Sequence, residues 1–147
     1  MASDSSPLTL TLPSDLRLLS VARTFVEAVC KVGGFDQATT DAIVLATNEA
    51  TSNVIRHAHQ GRPEAYLQIQ CRFCSEGLEI CLLDEGEPFD LTAVPHLNPA
   101  EIRVGGRGVF LMRRLMDELS CQAQGERGNV LRMVKHCGGK SVERGCG

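Results

Sequence analysis

Long apolar runs are absent from this sequence of 147 residues. No segment approaches the roughly 20 consecutive apolar residues that a membrane-spanning helix needs. Residues 1–7 are mostly polar and lack the apolar block of a signal peptide. We therefore expect a cytoplasmic protein that makes no contact with a membrane.

An excess of basic charge is also missing. Fifteen Lys and Arg residues stand against eighteen Asp and Glu residues, which gives a formal net charge of -3 at pH 7. The basic residues are scattered, whereas a nucleic-acid-binding surface concentrates them. Direct binding to nucleic acid is therefore not expected. Hydrophobic residues make up 43% and charged residues 22% of the chain, which is typical of one folded domain.

The seven cysteines lack the spacing of a zinc site or a disulfide framework. Only Cys71 and Cys74 form a C-x-x-C pair, and this pair falls inside an alternating strand pattern. We favour structural roles over metal binding or redox chemistry. The cysteines interpreted as small core residues are Cys30, Cys71 and Cys81, and those expected as exposed thiols are Cys137 and Cys146.

Hydrophobic periodicity predicts strands on one side of the molecule and helices on the other. The predicted elements are a strand at 8–12, a helix capped by Ser14 and stopped by Gly33 and Gly34, a helix from Asp36 to about His59, strands at 67–73 and 78–82, a long loop at 85–107, a helix from Gly108 that includes Leu119, and a hairpin turning at 125–129. This order predicts an α+β two-layer sandwich, in which a mixed, mostly antiparallel sheet is covered by about three helices. The domain is expected to span 8–136, with a flexible Gly- and Cys-containing tail at 137–147.

Polar side chains interrupt the second predicted helix. Glu49, Asn53 and His57 share a helical face with small apolar residues, namely Ala38, Ala42, Leu45, Ala46 and Ala50. An unpaired buried carboxylate is costly. Either this face borders a cavity, or this end of the helix emerges into solvent.

Two further segments suggest a ligand. Asp84 and Gly86 follow an apolar strand, where a carboxylate can accept from an exocyclic amine and a glycine lets a flat ring approach; an ordinary turn is the alternative. Gly105, Gly106, Arg107 and Gly108 precede a predicted helix, whose free amides suit phosphates. A flexible joint is the alternative there.

The order of these three signals, helix, strand end and glycine-rich helix start, resembles the GHKL superfamily of ATP-binding domains, which has a Bergerat-type fold. The segments that carry the resemblance are 48–58, 84–90 and 105–112. Within that superfamily the sequence is similar to the anti-sigma-factor serine/threonine kinases of the RsbW and SpoIIAB kind. The resemblance covers roughly residues 8–136.

The resemblance implies a role for each candidate residue. Asn53 would coordinate Mg2+ through its side-chain oxygen, Glu49 would act as general base, and Asp84 would read the adenine amine of ATP. The remaining nucleotide contacts would come from Gly86, Gly105, Gly106, Arg107 and Gly108. One departure concerns a Thr common beside the adenine in the last strand: the aligned residue here is Val130, or Asn129 if the alignment shifts by one.

The resemblance also implies partners. Such a kinase phosphorylates a STAS-type anti-sigma-factor antagonist, sequesters a sigma factor and forms a homodimer. The alternative is a non-catalytic module whose protein binding depends on nucleotide. A sensor histidine kinase is disfavoured because no helix with a phospho-acceptor His precedes the domain, and gyrase-like or MutL-like ATPases are disfavoured by length.

Overall fold

The protein is a five-stranded sheet with three α-helices, and the computed structural model describes residues 6–58, 65–84, 104–123 and 129–137. The strands are β1 (Leu8–Pro13), β2 (Tyr66–Cys74), β3 (Gly77–Asp84), β4 (Glu118–Ala123) and β5 (Asn129–His136), in the spatial order β1-β2-β3-β5-β4. The helices are α1 (Leu19–Val32), α2 (Gln37–Asn53) and α3 (Val104–Leu115). The predicted α+β class is confirmed. All pairings between described strands are antiparallel, so the expectation of a mixed sheet is wrong.

The two faces of the sheet differ in burial, because side chains alternate along each strand. The core face, which packs under the helices, carries fully buried apolar residues such as Ile69, Ile80 and Met133. Their strand neighbours, including Gln70, Cys81 and Arg132, form the outer face and are partly exposed. The core face therefore supplies most of the apolar surface that stabilises the fold, while Val134 is a buried apolar residue on the outer face.

The helix caps agree with the sequence prediction at two ends and differ at a third. Asp36 accepts a hydrogen bond from the Thr39 amide at 2.8 Å, and α1 stops at glycines, with Gly34 at a φ of 81°. The predicted Ser14 cap is wrong, since Asp15 accepts from the Arg17 amide at 2.9 Å. Asp15 caps a 3-10 turn, Leu16–Leu18, that precedes α1.

The cysteines are separated by the geometry of β2. Cys71 and Cys74 are three residues apart in a strand, so their side chains lie on opposite faces and do not bind one metal together. Burial raises the pKa of Cys71 to about 12 and that of Cys30 to about 11, which disfavours the reactive thiolate. Cys81 lies on the outer face and is half-buried. Its interpretation as a core residue is therefore wrong.

The end of the described chain is held in place. Cys137 is buried, and its amide donates to the Glu76 carbonyl at 2.8 Å. The expectation of an exposed thiol at this position is wrong, because the side chain is buried and its sulfur is disulfide-bonded. Cys146 lies outside the described residues.

Helix α3 ends earlier than the sequence pattern suggested. The Lys135 Nζ atom donates to the carbonyl of Leu115, the last helical residue, at 2.7 Å, as cations do at helix C-termini. Leu119 belongs to β4 and pairs with Met133. None of the helices in the described part of the chain is long and apolar enough to span a bilayer.

Candidate functional site

Asp84 is a buried carboxylate on the apolar face of the sheet. It is the last residue of β3, lies opposite Leu67 of β2 and Asn129 of β5, and is 7% exposed. The residues before it on the same face, Leu82 and Ile80, are fully buried. A carboxylate in such surroundings costs free energy unless partners compensate it, so the partners of Asp84 matter.

Asn129 is one of those partners. Its Nδ2 atom donates to Oδ1 of Asp84 at 3.1 Å, and Asn129 is 4% exposed. Val130, the first residue considered for the position beside the adenine, pairs with Leu83 on the outer face. The side chain of Val130 therefore lies on the face opposite Asp84, whereas Asn129, the residue considered if the alignment shifts by one, lies on the same face as Asp84. The alternation of side chains along β5 could have shown this from the sequence, because the apolar residues Leu131 and Met133 place the odd-numbered residues of the strand on the core face.

Asn53 is a buried carboxamide at the end of α2. It is 8% exposed, and its side chain makes no hydrogen bond with any residue that the structure describes. By contrast, the buried hydroxyls of Thr47 and Thr51 on the same helix donate to carbonyls one turn earlier, at 2.9 and 2.7 Å. Buried polar groups are normally satisfied. Asn53 therefore has the properties of a ligand-binding group, and its amide oxygen is a donor that suits a hard cation such as Mg2+.

Glu49 lies one helical turn before Asn53 and is half-buried. Its neighbour Asn48 accepts from Arg23 of α1 at 3.0 Å. The predicted apolar stripe on this helix is wrong in detail, because Ala38 and Leu45 are exposed. Helix α2 packs against both α1 and α3. Its buried surface keeps Ala46, Ala50 and Asn53 of the predicted stripe and adds Thr40, Ile43, Thr47, Thr51 and Ser52.

The backbone changes directly after Asn53. Residues Val54–Ala58 form a π-helical turn, and the Val54 amide contacts the carbonyls of both Ala50 and Thr51. π-Turns are rare and often occur at functional sites, where they change the direction of a helix. The sequence predicted an uninterrupted helix to about His59, and no propensity signal indicates the turn.

The predicted phosphate-binding residues lie inside α3. The helix begins at Val104, so the prediction that Gly105, Gly106 and Arg107 form a loop before a helix starting at Gly108 is wrong. These residues form the first turn, where up to four amides have no partner within the helix. Gly86 and the side chain of Arg107 lie outside the described part of the structure.

The elements that carry the predicted residues pack together. Helix α2, which carries Glu49 and Asn53, contacts both β3, the strand that ends at Asp84, and α3, the helix that begins with the glycines. The polar groups are a carboxylate that can accept from an amine, a carboxamide oxygen and a second carboxylate. Such a set can bind a base, a metal-bound phosphate chain and an attacking hydroxyl.

A second polar cluster lies on the outer face, at the other end of β5. Arg132 binds Glu79 and Glu118, and His136 lies 3.1 Å from Glu118. Together with Arg72, which lies 3.9 Å from Glu79, these residues are called the outer-face network. His136 and Glu118, with Glu76, also bring three ligand atoms within 4.8 Å of one another. None of the predicted site residues belongs to this cluster.

Comparisons with known proteins match most of the chain. The family model described as the histidine kinase-like ATPase domain matches residues 12–135. Serine-protein kinase RsbW of Listeria innocua serovar 6a is 28% identical, over 97% of this chain and 95% of the relative. Serine-protein kinase RsbW of Bacillus subtilis strain 168 is 23% identical, over 97% of this chain and 93% of the relative.

Two solved structures share the fold. One contains the RsbU and RsbW domains of a Mycobacterium tuberculosis protein, with a TM-score of 0.66, 16% identity and coverage of 90% of this chain but 32% of that chain. This chain thus spans about a third of that longer protein. The other is the histidine kinase domain of a blue-light-activated kinase from Erythrobacter litoralis EL346, with a TM-score of 0.54, 18% identity and coverage of 97% and 72%. The GHKL resemblance and the predicted fold are confirmed.

Proposed function

Because this chain belongs to the family of histidine kinase-like ATPase domains, we propose that it is an ATP-dependent protein serine/threonine kinase of the anti-sigma-factor type. The observation that carries the proposal is the buried carboxylate of Asp84 at the end of β3, a strand that contacts the helix holding Glu49 and Asn53. The name Serine-protein kinase RsbW, shared by relatives of 22 to 28% identity, supports this class of reaction.

In this proposal Asp84 binds the base of ATP. Its carboxylate accepts a hydrogen bond from the exocyclic amine of adenine, and the position of Gly86 two residues later allows the ring to approach the backbone. The first turn of α3, with Gly105, Gly106 and Gly108, donates amides to the phosphates, and Arg107 adds positive charge.

Asn53 holds Mg2+ through its amide oxygen. The fit rests on two observations, the burial of this side chain and its lack of a hydrogen bond within the described part of the chain. Mg2+ neutralises charge on the phosphate chain when it is bound. The residues of the chain then have to orient the substrate hydroxyl and accept its proton.

Glu49 is the general base of the transfer. A Ser or Thr oxygen of the partner protein attacks the γ-phosphorus, the bond from that phosphorus to the β–γ bridging oxygen breaks, and ADP leaves. The hydroxyl proton passes to the Glu49 carboxylate. Since Glu49 is only half-buried, a partner that docks over α2 can reach it. Proton acceptance of this kind typically contributes about a hundredfold or more to the rate.

The partners in this proposal are a STAS-type antagonist, which is phosphorylated, and a sigma factor, which is sequestered. Two copies of the chain form a homodimer, and the reaction takes place in the cytoplasm. This assignment is supported by the RsbW-like resemblance and by the RsbW relatives that align over almost the whole chain.

Calorimetry with Mg-ATP and Mg-ADP tests the nucleotide site. The wild type is expected to bind both nucleotides, and Asp84→Ala is expected to bind them at least about tenfold more weakly, since it loses a charge-assisted hydrogen bond. Glu79→Gln, on the outer face of the same strand, is the control and should bind as the wild type does. Absence of binding to the wild type would contradict the proposal.

Phosphate transfer from radiolabelled ATP to a purified STAS-type antagonist protein tests the catalytic role. Glu49→Gln should keep nucleotide affinity and reduce the transfer rate by about a hundredfold or more. Glu27→Gln, a similarly half-buried glutamate of α1, is the matched control. Normal nucleotide binding without any transfer by the wild type would instead favour the non-catalytic interaction module.

A further inference from the structure

Glu76, Glu118 and His136 come together at one end of the sheet from three separate elements. Glu76 lies in the turn between β2 and β3, Glu118 begins β4, and His136 ends β5. One ligand atom from each residue lies within 4.8 Å of the other two. Glu118 and His136 belong to the outer face of the sheet, opposite the face that holds Asp84, so this cluster is separate from the proposed nucleotide site.

The backbone of the sheet fixes the three positions relative to one another. Cys137, the residue after His136, donates from its amide to the carbonyl of Glu76 at 2.8 Å. Glu118 pairs with Val134, which precedes His136 by two residues on the same face; long side chains reach each other across such a diagonal. Only side-chain torsions therefore have to adjust for the three ligand atoms to meet at one point.

The spacing of His136 and Glu118 is close to that of two ligands of one metal ion. Nε2 of His136 lies 3.1 Å from Oε2 of Glu118. Zn2+ binds imidazole nitrogen and carboxylate oxygen tetrahedrally at about 2.0–2.2 Å, which separates two such ligand atoms by about 3.4 Å. Glu76 is exposed and free to rotate its carboxylate towards the ion as a third ligand, and water supplies the fourth.

Asp117 lies on the other side of the imidazole. Its Oδ2 atom accepts from the backbone amide of His136 at 2.6 Å and lies 4.0 Å from Nδ1 of the ring. Histidines that bind a metal through one nitrogen usually have a carboxylate, a carbonyl or water beside the other nitrogen. The ring thus has Nδ1 towards Asp117 and Nε2 towards Glu118, the orientation that a metal between His136 and Glu118 requires.

The charges around the cluster favour a cation. Arg132 contacts the other oxygen of Glu118 at 3.1 Å and also binds Glu79, so its charge is already compensated by two carboxylates. Carboxylates outnumber guanidinium groups here: Glu76, Glu79, Asp117 and Glu118 stand against Arg72 and Arg132. A divalent cation offsets this excess of negative charge.

We propose that Glu76, Glu118 and His136 form a binding site for a divalent transition metal, and that Zn2+ is the ion that this set of ligands suits. One imidazole with carboxylates is a ligand set that zinc accepts, whereas Mg2+ prefers oxygen ligands and retains its water. Bound zinc joins the β2–β3 turn to the start of β4 and the end of β5. The site does not depend on the proposed kinase activity.

Calorimetric titration of Zn2+ into the nucleotide-free full chain tests the site. Excess Mg2+ is present throughout to occupy sites made only of oxygen. His136→Gln and Glu76→Gln should each bind one zinc ion fewer per chain than the wild type, because each loses a ligand. Glu79→Gln, a carboxylate variant on the same face outside the ligand set, should bind as the wild type does. Asp117→Asn keeps the ligands and should bind that ion about tenfold more weakly.

Thiols are the main competing ligands, since the chain contains seven cysteines. Co2+ serves as a visible probe in place of Zn2+, because a bound thiolate adds intense near-ultraviolet absorption. The difference spectrum between the wild type and His136→Gln should show visible cobalt bands without that absorption. Circular dichroism verifies the folding of each variant, and Glu76→Gln changes only an exposed turn residue. Wild-type zinc stoichiometry and affinity in either ligand variant, thiolate absorption in the difference spectrum, or no zinc binding by the wild type would overturn the proposal.

Discussion

Strands β3 and β5 carry interacting polar side chains on both faces of the sheet. These side chains are buried on the core face and partly exposed on the outer face. On the core face, Asp84 and Asn129 are enclosed at the end of a row of apolar side chains. On the outer face, the outer-face network spans four strands, but the side chain of Arg132 at its centre is 41% exposed. The same two strands therefore hold a polar pair removed from water and an ionic network in contact with it.

This difference separates a functional candidate from a surface feature. Burying a carboxylate and a carboxamide costs free energy, and their hydrogen bond only offsets that cost. Replacing a buried polar pair by apolar residues of similar volume is often neutral or stabilising, so stability alone is a weak explanation for the pair. The outer-face network has more contacts, yet exposed ion pairs contribute little. Burial, rather than the number of contacts, indicates the site.

The largest expected effect tests which face is the core. Ile80→Ala, on the core face of β3, should lower the free energy of unfolding by about 2–5 kcal/mol, because it leaves a cavity among fully buried side chains. Cys81→Ala, the next residue on the outer face, should cost less than about 1 kcal/mol. Urea unfolding followed by circular dichroism measures both. Equal losses would mean that the two faces are not distinguished as described.

The sequence predicts the strands and helix ends well, because their signals repeat or act within a few residues. It predicts the site less completely, because the position of a site residue depends on individual long-range contacts. Alternation located β2 and β3, and Asp36 and Gly34 located helix ends, because these signals act within a few residues. The choice between Val130 and Asn129 depended on the register of β5 against β3, which is a long-range property. The start of α3 at Val104 could not be predicted from propensity, since its first residues include Gly105 and Gly106 and glycine is a poor helix former. Helix α3 packs on α2, a long-range contact that local propensity does not contain.

A smaller effect is expected from the centre of the outer-face network. Arg132→Gln removes the ion pairs to Glu79 and Glu118, and should destabilise the protein by no more than about 1 kcal/mol, since exposed pairs are screened by water and salt. Mg-ATP affinity should not change. Urea unfolding and calorimetry on one preparation measure both quantities. A tenfold loss of Mg-ATP affinity would show that the outer-face network is coupled to nucleotide binding on the core face, and would contradict their independence.

The smallest effect is a pH dependence at the edge of this network. The hydrogen bond to Glu118 raises the pKa of His136 above its ordinary value of 6.5, and the same bond, with Arg132, lowers the pKa of Glu118 below 4.5. The folded protein thus holds the imidazole proton more tightly than the unfolded chain does. Its stabilising contribution is complete below pH 6.5 and is lost as the pH rises through the folded-state pKa of His136.

His136→Gln removes this titration and serves as the reference for the wild type. The urea concentration at the unfolding midpoint should be higher for the wild type than for the variant near pH 6, and this difference should shrink by about pH 8. The titration of groups common to both proteins does not contribute to the difference. In acid the difference should shrink again, as the pH falls through the folded-state pKa of Glu118. A difference that stays constant or grows with rising pH would show that His136 and Glu118 are not paired in solution. Mg-ATP affinity should be the same in both proteins at either pH, because the pair lies on the face of the sheet opposite Asp84.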